Sequence, residues 1–192
     1  MGGEGARLPS LATLFRQAWS GRYTAHGDVS EADCVIGFAF GYEQDAHGVQ
    51  PGVSNEDLAG YLRDHLPGLP RVLQVEVAEA RARLAPADAA PQFIIRQHRR
   101  AGVHLDTREV AEQALAILEQ HGWRQAVVLA HPNHLPRSDV VCRKLGIATV
   151  LPPGLERVRF GPRSVQKWTR NRFAWMRREA GALLYYRWQG WI

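Results

Sequence analysis

The segment QAVVLAHPNHLPRSDVV, residues 125–141, decides the fold that the sequence predicts. Residues 126–130 are apolar without alternation, which is typical of a β-strand buried on both faces. Pro136 suits the first position of a helix, because the N–H that proline lacks would be unpaired there. The sequence therefore predicts a strand that passes through one short turn into a helix over 136–146, the repeating unit of an α/β protein.

The same unit recurs on both sides of this segment. Further strands are predicted over 34–40, 71–80, 92–98 and 147–153, and an amphipathic helix is predicted near residues 11–19. Strands that alternate with helices imply right-handed crossovers and parallel pairing. We predict a Rossmann-like, doubly wound α/β fold with a mainly parallel five-stranded sheet and helices on both faces. Residues 1–31 form an N-terminal helix and lead-in, and 32–192 form the α/β domain with its basic C-terminal helix, a single domain overall.

Two helix starts carry capping signals. Ser54 with Asp57 three residues later resembles a capping box, so a helix is predicted to open at Ser54. A second helix is predicted after Asp106 or Thr107, and Gly122 is predicted to end it.

Composition sets the class of protein. The chain has 192 residues with 45% hydrophobic and 22% charged residues, as in an ordinary globular protein. No apolar run reaches membrane-spanning length, and the N-terminus lacks the apolar core of a signal peptide. Cys34 and Cys142 lie in hydrophobic runs and are predicted to be buried free thiols. We therefore expect a cytoplasmic protein.

The turn at residues 131–137 is the main candidate site, because ligands of open α/β sheets bind beyond the carboxyl ends of the strands. Free N–H groups at a helix start bind anions. Arg137 in that first turn is unfavourable with the helix dipole unless an anion lies beside it. The sequence predicts a bound phosphate or carboxylate, or a pairing with Glu43 or Glu109. The alternative is a local pairing of Arg137 with Asp139.

Other polar residues follow the predicted strands and complete the candidate site. His134 titrates near neutral pH, so His134 and Glu109 are the candidate acid–base residues. The candidate ligand-binding residues are Gly41, Glu43, Asn55, Thr107, His131, Asn133 and Arg137. A metal site would need His131 and His134 with Asp45, His47 or Glu43, but His-x-x-His alone is a weak metal motif, so no metal is predicted.

The C-terminal segment offers a different function. Residues 157–187 carry nine Lys or Arg and a single acid, Glu179, interleaved with tryptophans. Such a surface binds nucleic acid or anionic lipid in other proteins. However, Phe173, Met176, Ala180, Leu183 and Leu184 trace one helical face, which favours a helix packed on the sheet with its arginines outside. We therefore favour a small anionic ligand, such as a nucleotide or a sugar phosphate, over nucleic acid or anionic lipid as the partner.

An ordered set of segments also resembles a known family. These segments are ADCVIGFAFG, GVSNEDLA, DTREVAEQAL, VVLAHPNHLPRS, LGIATVLP and the ending REAGALLYYRWQGWI. From about residue 32 onward the chain resembles the YdcF-like (SanA/ElyC-type) domain of unknown function, also called domain of unknown function 218. The resemblance implies a Rossmann-like fold and S-adenosylmethionine as a candidate ligand, and some members act in bacterial envelope maintenance. It places the family's polar positions on Asn55, Glu56, Thr107, Glu109, His134 and Arg137.

Overall fold

The computed structural model describes residues 8–86 and 89–192. The predicted lead-in residues 1–7, and residues 87–88 of the linker before the third predicted strand, lie outside the described residues. The helices are α1 (Leu11–Ser20), α2 (Val53–His65), α3 (Val75–Leu84), α4 (Thr107–His121), α5 (Leu135–Lys144) and α6 (Arg172–Trp188). The strands are β1 (Cys34–Gly37), β2 (Glu43–Asp45), β3 (Gly48–Gln50), β4 (Arg71–Gln74), β5 (Gln92–Ile95), β6 (Gln125–Leu129) and β7 (Ala148–Val150).

The main sheet has the order β5-β4-β1-β6-β7, and every neighbouring pair in it is parallel. The chain runs from β1 outward to β5 and then returns to β6 on the other side of β1. The carboxyl ends of β1 and β6 therefore flank the point where the strand order reverses, which is where ligands bind in such sheets. The predicted Rossmann-like, doubly wound fold is confirmed.

The two central strands carry the core. All residues of β1 are buried, and from Ala126 to Ala130 every side chain in and after β6 is fully buried. Helices α2 and α3 pack together, as do α4 and α5, so helices cover both faces of the sheet. Both cysteines are buried free thiols, as predicted. Within the described residues, no helix is long and apolar enough to cross a membrane.

Both outer strands are short and lie beside prolines. Strand β5 has four residues and follows directly on Pro91, whereas the three-residue β7 is followed after Leu151 by Pro152 and Pro153. Leu151 and His26 exchange two backbone hydrogen bonds, of 2.9 and 3.1 Å, alongside this outer strand.

Several predicted strands and one loop differ from the structure. The strands predicted over 92–98 and 147–153 are shorter, as β5 (Gln92–Ile95) and β7 (Ala148–Val150). The strand predicted over 71–80 ends at Gln74, and Val75 begins α3, because Val77, Ala78 and Arg81 place a buried face at helical spacing. The strand predicted over 34–40 ends at Gly37, since its pairing partners in β4 and β6 end at the same level. The predicted polar loop after Glu43 contains the small antiparallel hairpin of β2 and β3.

The two predicted helix starts had different outcomes. Asp106 caps α4, since its carboxylate accepts a hydrogen bond from the Glu109 N–H, and Gly122 follows the last residue of that helix. Both ends were therefore predicted. The capping box at Ser54 was wrong, because α2 starts at Val53 after Gly52 and the Ser54 hydroxyl donates to the Arg159 carbonyl at 2.6 Å. Asp57 binds the Arg159 guanidinium instead of a backbone N–H of the first helical turn.

Helix α6 packs on the protein as expected, but its buried face only partly matches the predicted one, because Leu183 is buried whereas Phe173 and Leu184 are exposed. Its buried residues are Trp175, Glu179, Leu183 and Tyr186. Phe173 and Leu184, which were assigned to the packed face, are 71% and 57% exposed. The error arose because apolar residues lie on both sides of this helix, so periodicity alone did not select the buried side.

Candidate functional site

A cavity of about 560 Å³ lies at the carboxyl ends of β1, β4 and β5, under the inner side of α6. Its size is within the range of about 300–1,000 Å³ that small-molecule sites occupy. Larger depressions lie between α2 and α3 and along α5 and β7, away from these strand ends. The lining of the cavity at the strand ends is Ala39, Phe40, Gly41, Tyr42, Gln74, Glu76, Arg96, Val103, His104, Leu105, Asp106, Thr107, His134, Arg137, Gln166, Trp168, Thr169, Trp175, Arg178, Gly181, Ala182, Tyr185 and Tyr186.

Arg137 borders this cavity but is engaged within the protein. Its Nε and Nη2 atoms each donate to a carboxylate oxygen of Glu179 on α6 at 2.8 Å, and Nη1 donates to Thr107 Oγ1 at 2.6 Å. Burial opposes the charge of Arg137, but the attraction and hydrogen bonds of Glu179 outweigh it, so the pKa of the guanidinium is raised. The predicted pairing of Arg137 with Glu43 or Glu109 was wrong, and so was the local alternative, Asp139, because the carboxylate partner of Arg137 is Glu179.

The start of α5 also differs from the predicted anion site. His134 is the residue before the helix, Leu135 is its first residue and Pro136 its second. The N–H groups of His134 and Leu135 both donate to the His131 carbonyl, at 2.7 and 2.9 Å. Since Pro136 has no N–H, this turn does not present the row of free donors that anion binding at a helix start uses.

His134 lies inside the protein at the cavity wall. Its Nε2 atom is 2.9 Å from Thr107 Oγ1, and its Nδ1 atom is buried without a hydrogen-bond partner among the described residues. Burial, together with the charge of Arg137 and with His131, lowers the pKa of His134 well below its ordinary value. The imidazole is therefore neutral at physiological pH, and Thr107 joins it to Arg137 in one buried network.

His131 and Asn133 contact other residues of the protein and are not part of the cavity lining. The His131 ring stacks on Phe40 with centroids 3.9 Å apart, and its Nδ1 accepts the Asn133 N–H at 3.2 Å. Burial, with a smaller effect of Arg172, lowers the pKa of His131 to about 3. The Asn133 side chain donates to the Ala18 carbonyl and so ties this turn to α1.

The two candidate glutamates lie away from the cavity lining. The Glu109 carboxylate accepts hydrogen bonds from the side chain and N–H of Arg99 and from Gln113. The side-chain hydrogen bonds from Arg99 are the main reason that the pKa of Glu109 falls to about 2. Glu43 is 3.0 Å from the Arg163 guanidinium. The structure therefore does not bring either carboxylate to His134, as an acid–base arrangement would require.

Asn55 and Gly41 hold the segment that follows β1. Asn55 is fully buried, accepts the Phe40 N–H at 2.9 Å and donates to the Gly41 carbonyl at 2.8 Å. Gly41 lines the cavity with a φ of 75°, and a Cβ atom there would lie 2.3 Å from Thr169 Oγ1. Glycine is required at this position because the chain's own residues approach it. Thr107 is the remaining predicted ligand residue that lines the cavity.

Two arginines of the cavity, Arg96 and Arg178, were not predicted as ligand residues, whereas Glu76 stands out in the sequence as a carboxylate within a predicted strand. Arg96 follows β5 and Arg178 projects from α6, and neither forms an ion pair with a carboxylate among the described residues. Glu76 follows β4, and its Oε2 atom is buried without a partner. Burial, with the charge of Glu79 as a smaller cause, raises the pKa of this carboxyl group. Both Arg96 and Glu76 fall inside predicted strands, 92–98 and 71–80, so the sequence did not place either residue at a strand end.

The described side chains do not assemble three His, Cys, Asp or Glu residues in a geometry that could hold a metal ion. Fold and cavity together define the class as a Rossmann-like α/β protein with an aromatic-lined, arginine-bearing pocket at the strand ends. Comparison of the chain with protein-family models, with curated proteins and with solved structures found no match.

Proposed function

We propose that the protein binds a small anionic ligand in the cavity at the carboxyl ends of β1, β4 and β5. The observation that carries this proposal is the presence of two cavity-lining guanidinium groups, Arg96 and Arg178, that have no carboxylate partner in the described part of the chain. Guanidinium groups bind phosphate and carboxylate with paired hydrogen bonds. The anion therefore interacts with these two arginines, and Arg137 stays bound to Glu179.

The aromatic lining favours a ligand that also has a planar ring. Phe40, Tyr42, Trp168 and Tyr185 border the cavity, and the Arg178 guanidinium lies 5.3 Å from the centre of the Trp168 ring. Aromatic rings stack on flat heterocycles. A nucleotide or S-adenosylmethionine has both a planar heterocyclic ring and an anionic group. A sugar phosphate has the anionic group but no planar ring. S-adenosylmethionine is also the ligand that the resemblance to the YdcF-like family implies.

The geometry supports binding better than acid–base catalysis. His134 is held neutral and hydrogen-bonded to Thr107, and Glu109 is bound by Arg99. His134 is therefore a neutral residue of the cavity wall rather than an acid or a base.

The test is calorimetric titration of the wild-type protein with AMP, ADP, ribose 5-phosphate and S-adenosylmethionine. Arg96→Gln and Arg178→Gln should each weaken a bound ligand about tenfold or more, because each removes a charge-assisted hydrogen bond. Arg100→Gln is the matched control, since Arg100 is exposed, lies near Arg96 in the chain and does not line the cavity. Binding that survives both cavity substitutions, or no binding of any ligand in the panel, would show that the proposal is wrong.

A further inference from the structure

The outward side of α6 carries large apolar side chains in water. Trp188 is 79% exposed, Phe173 71% and Leu184 57%. The Trp19 ring of α1 and the Phe173 ring meet in an edge-to-face arrangement with centroids 5.4 Å apart, and Trp19 is itself 44% exposed. Isolated exposed apolar residues are ordinary, but a contiguous group of them marks an interaction surface. We call Phe173, Leu184 and Trp188 the outer stripe.

Helical geometry places the outer stripe on one side of α6, with Phe173 about 16 Å along the axis from Leu184 and the exposed Arg177 between them. At 3.6 residues per turn, spacings of eleven and four residues place Phe173, Leu184 and Trp188 within about 60° of one another. The same geometry places the buried residues Trp175, Glu179, Leu183 and Tyr186 on the far side of the helix. The outer stripe is therefore separate from the face that packs on the protein.

The exposed charges that α6 itself carries on the side of the outer stripe are positive. Arg177 falls within the same arc and Arg187 lies at its border, and both are exposed. The single acid of α6, Glu179, is completely buried and bound to Arg137. The exposed surface of α6 thus combines apolar side chains with guanidinium groups and carries no carboxylate.

We propose that the outer stripe lies on the surface of an anionic lipid bilayer, with α6 parallel to the membrane plane. Helices that combine a bulky apolar stripe with flanking cations bind such surfaces, because the apolar side chains enter the headgroup region while the cations face lipid phosphates. Tryptophan prefers this boundary.

Charge argues for lipid over a second copy of the chain. If two identical outer stripes faced each other about a twofold axis, four arginines, Arg177 and Arg187 of both copies, would lie in one interface without any acidic partner from α6. Nucleic acid would match the arginines but would leave Leu184 and Phe173 without an apolar environment, whereas a bilayer matches both.

The test is cosedimentation of the full chain with vesicles of phosphatidylcholine alone and with 3:1 phosphatidylcholine:phosphatidylglycerol. We expect binding to the anionic vesicles that weakens with salt and is absent from the neutral ones. Leu184→Ser and Trp188→Ser should each lower the partition coefficient about tenfold, because each removes an inserted apolar side chain. Val49→Ser is the matched control, because Val49 is similarly exposed but lies on β3. Melting curves of each variant check that the fold is kept.

Four results would overturn the inference. These are equal binding to neutral vesicles, no binding to either vesicle, outer-stripe variants that bind as the Val49→Ser control does, and self-association in sedimentation velocity that Leu184→Ser abolishes. Retention of a labelled DNA or RNA duplex in a gel, without vesicle binding, would assign the surface to nucleic acid instead. Ligand binding in the cavity is independent of these outcomes, since the outer stripe is not part of its lining.

Discussion

At the residue scale, the ion pair between Arg137 and Glu179 shows what sequence alone does not supply. Arg137 was selected correctly as an unusual cation at a helix start, but its partner lies 42 residues away on α6. No local pattern links two residues at that separation. The partners predicted for Arg137 among the glutamates were therefore Glu43 and Glu109. The one hint was that Glu179 is the single acid in the basic C-terminal segment.

The buried pair makes a strong prediction about stability. Glu179→Gln should lower the free energy of unfolding by about 3–5 kcal/mol, because it leaves the buried Arg137 charge without a counter-charge. Chemical denaturation measures the loss.

Arg137→Met/Glu179→Met is the informative control for this loss. Replacing both charges with apolar side chains should recover much of the stability, since no buried ion remains. If the losses of unfolding free energy of the two single substitutions simply added in the double variant, the interpretation that each buried charge neutralises the other would be wrong.

At the element scale, helix and strand boundaries were predicted correctly where no tertiary contact overrode the local sequence signal. The signals of α4 were local, a capping aspartate and a terminal glycine, and both ends were predicted. Helix α2 was misplaced by one residue because the Ser54 hydroxyl binds a carbonyl from a distant loop. Alternating residues in 71–80 suggested a strand, yet the pairing of β4 with β5 stops after four residues and the chain turns into α3. Tertiary contacts, which a local pattern does not contain, decided these cases.

The Asp106 cap gives a test at this scale. Asp106→Ala should lower the free energy of unfolding by about 1 kcal/mol, because the Glu109 N–H loses its acceptor. Asp106→Asn should cost much less, since asparagine caps helices about as well as aspartate. Thermal melts of the two variants check the difference, and equal losses would mean that the charge of Asp106 acts elsewhere, for example on Arg137.

At the scale of the whole molecule, two buried neutral histidines make stability depend on pH. The pKa of His131 is about 3 in the fold, and that of His134 also lies well below its ordinary value of 6.5. Because the folded pKa values are depressed, both side chains contribute full stability above about pH 6.5. That contribution falls as pH decreases toward 3, since the unfolded chain then binds protons that the folded chain rejects. The protein should therefore lose stability in mild acid.

Substitution of one histidine tests this dependence. His131→Phe keeps a ring beside Phe40 and removes the titrating group. Between about pH 6 and pH 4 the variant should show a shallower fall of unfolding free energy, by up to about 1.4 kcal/mol per pH unit. His47→Gln, at an exposed position, should leave the slope unchanged. An unchanged slope in His131→Phe would contradict the buried neutral state of His131.

The overall topology was predictable because it depends on the spacing of strands and helices, which the sequence displays directly. The set of residues that line the cavity was harder to predict from the sequence. Thr107, His134, Arg137 and Gly41 were predicted and do line it, while Glu43, Asn55, Glu109, His131 and Asn133 bind elsewhere within the protein. Helix α6 covers the cavity, so its position decides which polar residues face the cavity. The sequence did not show which side of α6 faces the cavity.

The short outer strands, which are bounded by prolines, affect the tendency of this protein to aggregate through the edges of its sheet. An open sheet border is a template on which a foreign strand can add, and long flat borders lead to fibrils. Here one border offers four residues after Pro91, and the other runs into Pro152 and Pro153 beside the pairing with His26. Because these strands have only four and three residues, and the prolines beyond them have no N–H to donate, an incoming strand finds few positions for a ladder.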